Sequence, residues 1–387
     1  MKKRYTILCL LLVVFALSAC GTKNNNNGTG FTEPTAMPSE GAPADTGAPV
    51  PGNDQGQGGY ALALITDVGT IDDKSFNQGA WEGLKQYAEE NNIAYKYYQP
   101  SEKSTSSYMA SIDLAISAGA RLVVCPGFLF EPAVYEAQSK YPDVQFILLD
   151  GTPHDEGYTD FRIDQNVYSV FYAEEQAGFL AGYAVVKDGY TKLGFMGGMA
   201  VPAVIRYGYG FVQGAEYAAK EMGIAKIDIK YHYTGGFEAT PEVQAMAASW
   251  YQSGTEVIFA CGGAVGNSVM TAAEASNAKV VGVDVDQSPE SATVITSALK
   301  ELSKSVYEGV KDFYGAKFPG GQSITLDIKK QGVALPMETS KFQKFTKEDY
   351  QAIYNKLESG EVAPVKDDAA TSAADLTTEI VSVEIIG

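Results

Sequence analysis

The sequence predicts an α/β fold made of two similar lobes, each a doubly wound arrangement of parallel strands and helices. The first observation is an internal repeat, because the pattern of residues 60–125 returns at residues 192–261. Equivalent positions include Gly83 and Gly214, Ile93 and Ile224, Gly119 and Gly254, and Cys125 and Cys261. The second observation is that short runs rich in Val, Ile and Tyr alternate with helical patterns, which is typical of βαβ units. A cleft between two such lobes is a natural place for a small ligand.

The start of the chain predicts a lipoprotein signal over residues 1–20. Lys-Lys-Arg at 2–4 forms a positively charged n-region. Residues 7–17 form an apolar h-region that is short for a membrane-spanning helix. The ending Leu-Ser-Ala-Cys at 17–20 resembles a lipobox, in which Cys20 becomes the lipidated first residue. An ordinary secretory peptide with a chance cysteine is the alternative.

Residues 21–59 form a predicted disordered tether. They are mostly Asn, Gly, Pro, Thr and Ser, with almost no large apolar side chains, so they bury too little surface to offset the entropy of ordering. As a random coil the segment spans about 35 Å on average. We therefore expect a protein held at the extracytoplasmic face of the cell membrane, within reach of a membrane partner.

Apolar runs and helical patterns predict the elements that follow. The predicted strands lie at 60–65, 93–98, 121–125, 144–149, 192–196, 226–231, 256–260 and 280–283. Crossover regions are expected at the Phe179–Lys187 helix and over 284–300. The predicted parts are a first lobe of 60–165 with part of 297–340, a second lobe of 166–296, and a C-terminal helix and tail over 341–387.

Composition and missing motifs exclude several function classes. The formal charge of −18 argues against a nucleic-acid partner, and two histidines leave little for a triad or a metal site. No phosphate-binding loop and no nucleophile elbow is present, so we expect neither a cofactor nor an enzyme. Hydrolysis of a nucleoside at Asp284 and Asp286 is the enzymatic alternative, and it predicts release of free base over time. Cys125 and Cys261 are expected to be buried thiols rather than a disulfide.

Side chains that follow the strands of the first lobe are predicted to line the cleft, because ligands of parallel sheets lie beyond the carboxyl ends of the strands. Ser75 and Gln78 form a predicted capping box, which places Phe76 and Asn77 in a first helical turn. Phe76 offers a ring face, and Asn77 offers a donor and an acceptor. Asp150 follows the fourth strand. The alternative is that Phe76 packs on its own lobe while Asn77 and Asp150 cap turns.

The second lobe supplies complementary groups. Phe237 follows one strand, Gly262 and Gly263 follow the next, and these glycines let the backbone approach a ligand closely. Asp284, at the end of a later strand, can accept hydrogen bonds from two vicinal hydroxyls, and Lys300 adds a donor. Two aromatic rings, amide and carboxylate acceptors and a lysine suit a neutral ring that carries a polyol. That description matches a nucleoside.

Four segments resemble the basic membrane lipoprotein family. They are D-V-G-T-I-D-D-K-S-F-N-Q-G-A-W-E-G at 67–83, G-G-M-A-V-P at 197–202, G-V-D-V-D-Q at 282–287 and T-S-A-L-K at 296–300. The resemblance covers residues 60–340. It implies the type I periplasmic-binding-protein fold and a substrate-binding lipoprotein of an ABC transporter that binds purine nucleosides.

The resemblance also implies roles for individual residues. The implied roles are base stacking by Phe76 and Phe237, base-edge hydrogen bonds by Asn77 and Asp150, a supporting or ligand-facing role for Asp67, and ribose contacts by Gly262 or Gly263, Asp284 and Lys300. Two regions depart from the family pattern, namely the aromatic segment 204–211 and the Gly-Gly-Phe-Glu at 235–238. Both departures bear on base preference.

The hypothesis from sequence is a monomeric, lipid-anchored protein that captures a purine nucleoside between closing lobes and delivers it to an ABC-transporter permease. Its partners are a nucleoside, the permease and, through Cys20, the lipid membrane. One alternative keeps the fold but binds a sugar or a sugar-like signal, which needs stacking without base-edge recognition. Another is a purely structural surface lipoprotein with no ligand.

Overall fold

The computed structural model describes residues 61–387. The fold and the cleft discussed below both lie in this part of the chain. The predicted signal over 1–20, its Cys20 and the predicted tether over 21–59 lie outside the described residues.

Strands and helices alternate along most of the described chain. The strands are β1 (Leu62–Ile65), β2 (Tyr95–Tyr98), β3 (Leu122–Pro126), β4 (Gln145–Leu149), β5 (Val167–Tyr172), β6 (Lys192–Gly197), β7 (Ile227–Tyr233), β8 (Val257–Cys261), β9 (Lys279–Asp284), β10 (Val294–Lys300), β11 (Gln322–Leu326), β12 (Val333–Ala334) and β13 (Val381–Ile385). The α-helices are α1 (Phe76–Glu90), α2 (Thr105–Ser117), α3 (Glu131–Lys140), α4 (Glu174–Lys187), α5 (Pro202–Met222), α6 (Pro241–Gln252), α7 (Val265–Ser276), α8 (Leu302–Tyr314) and α9 (Lys347–Ser359).

Two sheets form the two lobes, and the second repeats the strand order of the first with β13 added at one edge. The first sheet has the order β2-β1-β3-β4-β5-β11, and the second has β13-β7-β6-β8-β9-β10-β12. All pairings are parallel except that of β10 with β12. Strands β1, β3 and β8 are buried along their whole length, as expected for sheets covered by helices on both faces. The predicted α/β fold of two similar lobes is confirmed.

The chain passes between the lobes three times. It leaves the first sheet after β5 and enters α4, which packs on β10 and β12 of the second sheet. It returns after β10 through α8, which packs on α1, β3 and β4, and it crosses again between β11 and β12. Both lobes are therefore built from segments that are distant in sequence.

The strands divide differently from the predicted division at residue 166. Strand β5 pairs with β4 in the first sheet although it begins after that residue. The prediction of a crossover over 284–300 was wrong for its last part, because β10 is a strand of the second sheet and the crossover begins after it. In both cases the sequence analysis missed the last strand before a crossover. The helix that follows such a strand packs on the other lobe, so the regular alternation of strand and helix within one lobe is interrupted there.

Helices α4 and α5 meet at an unusually close glycine seam. A Cβ atom on Gly178 or Gly182 of α4 would lie 2.1 or 2.0 Å from a backbone oxygen of α5. A Cβ on Gly210 or Gly214 of α5 would lie 2.2 or 2.0 Å from a backbone oxygen of α4. Only glycine allows the two backbones to approach this far, so the seam fixes the crossover helix to the second lobe.

We expect Gly182→Ala to destabilise the protein, because the new methyl group forces two backbones apart. The free energy of unfolding, measured with urea, is expected to fall by about 1–3 kcal/mol. Gly157→Ala is the matched control, since its Cβ would meet neighbours only at 3.4 Å or beyond, in an exposed loop. Equal stability of the two variants would contradict a tight seam.

The C-terminal segment packs on the second lobe. Strand β13 pairs in parallel with β7. The carboxylate of Glu216 on α5 accepts hydrogen bonds from the backbone N–H groups of Glu379, Ile380 and Val381 at 2.9–3.0 Å. Sequence alone left open whether this tail packs or hangs free, and the structure orders it against α5 and β7.

Cys125 and Cys261 are buried free thiols, as predicted. Within residues 61–387, none of the helices combines the length and the apolar character required to cross a bilayer.

Candidate functional site

A cavity of about 280 Å³ lies between the lobes, at the carboxyl ends of both parallel sheets. Its size is near the lower end of the range of small-molecule sites, about 300–1,000 Å³. The structure brings every predicted cleft residue to this one cavity: Asp67, Phe76, Asn77, Asp150, Phe237, Gly262, Gly263, Asp284 and Lys300.

The start of α1 is held by Asp73 rather than by the predicted capping box. Its Oδ1 accepts from the backbone N–H groups of Ser75 at 2.8 Å and Gln78 at 3.1 Å, and its Oδ2 accepts from that of Asn77 at 3.0 Å. The capping box of Ser75 and Gln78 was wrong, because the Ser75 side chain makes no cap bond. Its hydroxyl instead donates to Asp284 across the cleft at 2.5 Å.

Asn77 is held inside the first lobe. Its Nδ2 donates to Asp67 Oδ1 and to Asp73 Oδ2, both at 2.9 Å, and its Oδ1 accepts from the backbone N–H of Asp67 at 3.2 Å. Only 2% of the residue is exposed. The side chain that was expected to read the edge of a base therefore already bonds two carboxylates, and its direct effect is to orient Asp67.

Asp67, which lines the cavity with Phe76, makes its side-chain hydrogen bonds through one carboxyl oxygen. Oδ1 accepts from Asn77 and from the backbone N–H of Gly69 at 2.7 Å, whereas Oδ2 has no hydrogen-bond partner among residues 61–387. Burial, together with the nearby charge of Asp73, raises the pKa of Asp67 to about 6. A buried carboxyl with a free oxygen is suited to bind a hydrogen-bond donor of a ligand.

The raised pKa of Asp67 predicts a pH-dependent effect of Asp67→Asn. The folded protein keeps a proton that the unfolded chain releases between pH 3.8 and about 6. The associated stability is present below about pH 4 and is lost as the pH rises through 6. We expect the variant to exceed the parent in unfolding free energy by roughly 2–3 kcal/mol at pH 7.5 and to lose this advantage at pH 4. Urea titrations across this range measure the difference, and a difference independent of pH would contradict the assignment.

A cluster of four charged side chains adjoins the cleft, because two of its members, Asp150 and Lys300, also line the cavity. Lys300, the last residue of β10, lies 2.5 Å from Asp150 Oδ2 and 2.9 Å from Glu174 Oε1. Arg206 of α5 donates to Glu174 at 2.6 Å and reaches Asp367 of the C-terminal segment at 3.4 Å. Lys300 thereby joins Asp150 of the first lobe to Glu174 at the start of α4.

The charges of the cluster depend on one another. Burial alone would raise the pKa of Glu174, but the charges of Lys300 and Arg206 hold it below the usual value. Burial would likewise lower the pKa of Lys300, but the carboxylates of Asp150, Glu174 and Asp284 raise it. Burial raises the pKa of Asp150 to about 7, although Lys300 opposes this shift. The lysine therefore stays charged, and of its two carboxyl partners Glu174 is the one whose ionised form is more strongly favoured.

Asp150 and Asp284 occupy equivalent places in the two lobes. Asp150 directly follows β4 and Asp284 ends β9, and both have positive φ, 55° and 66°. Aspartate tolerates this left-handed conformation better than most residues, and its presence at both sites turns a carboxylate into the cleft region. Asp150 Oδ1 is buried without a hydrogen-bond partner among the described residues.

Aromatic rings and glycines complete the lining. Phe76 is the first residue of α1, and Lys300 Nζ lies 4.9 Å from its ring centroid. Phe237 contributes a second, half-buried ring from the other lobe. A Cβ on Gly262 would lie 2.6 Å from the backbone nitrogen of Gly198, and Gly263 has φ of 54°, so both positions favour glycine.

Sequence analysis missed Glu174, Arg206 and Tyr207. Tyr207 lines the cavity, and its hydroxyl donates to the backbone oxygen of Ala298 at 3.2 Å. The sequence did contain a signal for Glu174, since two glutamates follow the end of β5 after a single alanine. Arg206 gave no such signal, because its partners lie far away in the sequence. Within residues 61–387, no group of His, Cys, Asp and Glu side chains is placed to hold a metal ion.

Comparison with known proteins agrees with the architecture and with the resemblance. The family model of the PnrA-like ABC transporter substrate-binding proteins matches residues 61–367. The ABC transporter nucleoside-binding protein BmpA of Lactococcus lactis subsp. cremoris is 32% identical, over 72% of this chain and 82% of the relative. Basic membrane protein A1 of Borrelia garinii subsp. bavariensis is 30% identical, over 70% of this chain and 77% of the relative.

A solved structure supports the same fold. The ABC transporter solute-binding protein of Aeropyrum pernix K1 superposes with a TM-score of 0.69 at 23% identity, over 80% of this chain and 95% of the other. Proteins of the matched family bind solutes for transporters and are not enzymes, in agreement with the prediction from sequence. The chain therefore belongs to the family of PnrA-like substrate-binding proteins of ABC transporters.

Proposed function

We propose that this protein is anchored to the extracytoplasmic face of the cell membrane, captures a purine nucleoside and delivers it to an ABC-transporter permease. One observation carries the choice of ligand. The cavity combines the ring of Phe76 with the carboxyl groups of Asp67 and Asp150, and Asp150 Oδ1 is buried with no hydrogen-bond partner among residues 61–387. A planar base with N–H groups satisfies both features. The nucleoside-binding relative from Lactococcus lactis supports the same ligand class.

The base is proposed to lie between the rings of Phe76 and Phe237. These rings belong to opposite lobes, so closure of the lobes would sandwich a base and remove it from water. Asp67 and Asp150 would then accept hydrogen bonds from the base. Asn77 was expected to bond the edge of the base, but its proposed role is to hold Asp67 in place.

The ribose is proposed to lie against the second lobe. Asp284 would accept hydrogen bonds from the sugar hydroxyls, and the backbone at Gly262 and Gly263 allows close approach. Lys300 has three N–H donors, of which one bonds Asp150, and its ammonium also forms an ion pair with Glu174 at 2.9 Å. A donor therefore remains for a hydroxyl of the ligand.

The charge of the lining supports a ligand without phosphate. Asp67, Asp73, Asp150, Glu238 and Asp284 line the cavity, and Lys300 is the only cationic side chain that does so among the described residues. Its charge is already shared between two carboxylates. A phosphate group would therefore meet net repulsion, whereas an uncharged nucleoside would not.

A melting panel tests the ligand. The full chain, kept in detergent, is heated with adenosine, guanosine, inosine, uridine, the free bases, ribose and several hexoses. A ligand that binds the native state raises the melting temperature by mass action, and we expect a shift with purine nucleosides alone. If no compound shifts the transition and denaturing extraction releases no bound nucleoside, the proposal is overturned.

A sugar or sugar-like signal is the second candidate. The observation that favours it is the internal bonding of Asn77, because a sugar needs an aromatic platform and carboxylates but no amide to read a base. Shifts with ribose or hexoses and none with nucleosides would select this candidate.

The anchor is tested separately. We expect cells that express Cys20→Ala to release the protein from the membrane fraction, because the proposed lipid is attached to this side chain. Fractionation followed by immunoblotting measures the distribution. Retention of the variant in the membrane to the same extent as the parent would exclude Cys20 as the attachment point.

A further inference from the structure

Two buried side chains, Ser75 and Gln287, connect the lobes directly beside the cleft. Ser75 Oγ of the first lobe donates to Asp284 Oδ2 of the second at 2.5 Å. Gln287 Nε2 of the second lobe donates to the backbone oxygen of Lys74 in the first at 2.7 Å. Ser75 is 0% exposed and Gln287 is 1% exposed, so water competes little with either bond. We call this pair of bonds the closure contact.

Hydrogen bonds within the second lobe hold Gln287 in place. Its Oε1 accepts from the backbone N–H of Val283 at 3.0 Å, and its own backbone N–H donates to Ser297 Oγ at 3.0 Å. Both partners belong to the second sheet. These two bonds hold the side-chain amide in a fixed direction, with Nε2 pointing at Lys74 of the first lobe.

The Lys74 carbonyl is presented by an unusual backbone. Lys74 has φ of 62°, a conformation that costs energy for a lysine and persists when surrounding contacts hold it. Its side chain adds an exposed ion pair with Glu290 at 3.8 Å, a second link to the loop after β9. The segment before α1 therefore contacts the loop after β9 through both the backbone and the side chain of Lys74.

The closure contact bears on the ligand site through Asp284. Ser75 holds one oxygen of this carboxylate, and the hydroxyl of Tyr207 lies at the limit of hydrogen bonding, 3.5 Å, from the other. A hydroxyl from the first lobe therefore fixes a carboxylate that the second lobe presents to the cavity. Separation of the lobes would leave Asp284 free to turn and the amide of Gln287 short of an acceptor.

We propose that Ser75 and Gln287 are positioning residues, whose contact across the lobes forms on closure and holds Asp284 in the orientation that retains the ligand. The part of this inference that concerns the ligand rests on the proposed function. The part that concerns closure does not. Removal of either bond is expected to leave ligand entry unchanged and to speed ligand escape by about 2- to 10-fold, the equivalent of one buried hydrogen bond.

Substitutions can remove the bonds between lobes selectively. Gln287→Glu keeps an oxygen for the N–H of Val283 but replaces the donor that faces Lys74 with an acceptor. Ser75→Ala removes the hydroxyl, and Ser75→Thr keeps one and serves as the rescue. Gln213→Glu is the matched control, because the amide of Gln213 donates only to Tyr209 and Val365 on the second lobe.

The first readout needs no ligand. Dyes on Glu136→Cys and Glu242→Cys, exposed positions on α3 and α6, report the distance between the lobes of the full chain by energy transfer. We expect Gln287→Glu and Ser75→Ala to shift the distribution toward longer distances, and Ser75→Thr and Gln213→Glu to match the parent. A role confined to fold stability would lower the melting temperature without changing the distances.

The second readout is the rate of guanosine dissociation, followed by stopped flow on the same proteins. Faster dissociation with unchanged association supports the closure contact. Distances that shift in a protein that binds no nucleoside support the contact while overturning the proposed function. Unchanged distances in both Gln287→Glu and Ser75→Ala overturn the inference, even if guanosine binds.

Discussion

Lys300→Met is expected to lower the free energy of unfolding by about 3–5 kcal/mol at pH 8, the largest loss of stability we predict. The substitution removes the ammonium that lies between Asp150 and Glu174, and it leaves two carboxylates in a region where Lys300 itself is only 5% exposed. Arg206 still forms an ion pair with Glu174, whereas Asp150 loses its ion-pair partner. Urea denaturation monitored by circular dichroism measures the loss.

Two controls distinguish the effect of leaving a buried carboxylate without its partner from the effect of losing any lysine. Lys311→Met removes an exposed lysine that pairs with Glu308, and it is expected to cost no more than about 1 kcal/mol. Lys300→Met combined with Asp150→Asn removes the uncompensated charge and is expected to recover part of the loss. If Lys300→Met is no more harmful than Lys311→Met, the cluster does not support the fold as described.

Phe76→Ala is expected to weaken guanosine binding by roughly 5- to 150-fold, the range that corresponds to one stacked base. The ring is the first residue of α1, at a helix start that Asp73 holds with backbone hydrogen bonds. Its loss should therefore remove the platform without unfolding the helix. Isothermal titration calorimetry on the full chain measures the dissociation constant.

Phe161→Ala is the matched control for this experiment. Phe161 is 56% exposed, and it does not line the cavity, so its removal should leave guanosine affinity unchanged. Asp284→Ala provides an independent test of the ribose side. Binding as tight as that of the parent in both Phe76→Ala and Asp284→Ala would reject the nucleoside site.

The strands and the cleft could be predicted because both follow from local patterns. Apolar runs such as 121–125 and 144–149 correspond to β3 and β4 with shifts of one residue or less at each end. Since parallel strands end at the same edge of a sheet, residues just after these runs had to meet. Asp150 and Asp284 were found in this way, whereas Asp67 was given a role only by the resemblance to the family.

The hydrogen-bond partners could not be predicted, because they depend on distances between remote segments. Ser75 followed by Gln78 has the pattern of a capping box, yet the carboxylate of Asp73 is a stronger acceptor and takes the helix N–H groups. The hydroxyl of Ser75 was thereby left for Asp284, far along the chain. Lys300 was predicted to face the ligand, but no local pattern indicated that Glu174 would lie beside it.

The interleaving of the two lobes has a consequence for how the chain acquires its structure. The first sheet begins with β1 at Leu62–Ile65 but obtains its outer strand only from Gln322–Leu326, and the second sheet obtains its last strand from Val381–Ile385. Neither lobe can complete its sheet from a contiguous piece of chain. Folding must therefore join segments synthesised early with segments synthesised late, which favours slow, cooperative assembly of both lobes over independent folding of the first.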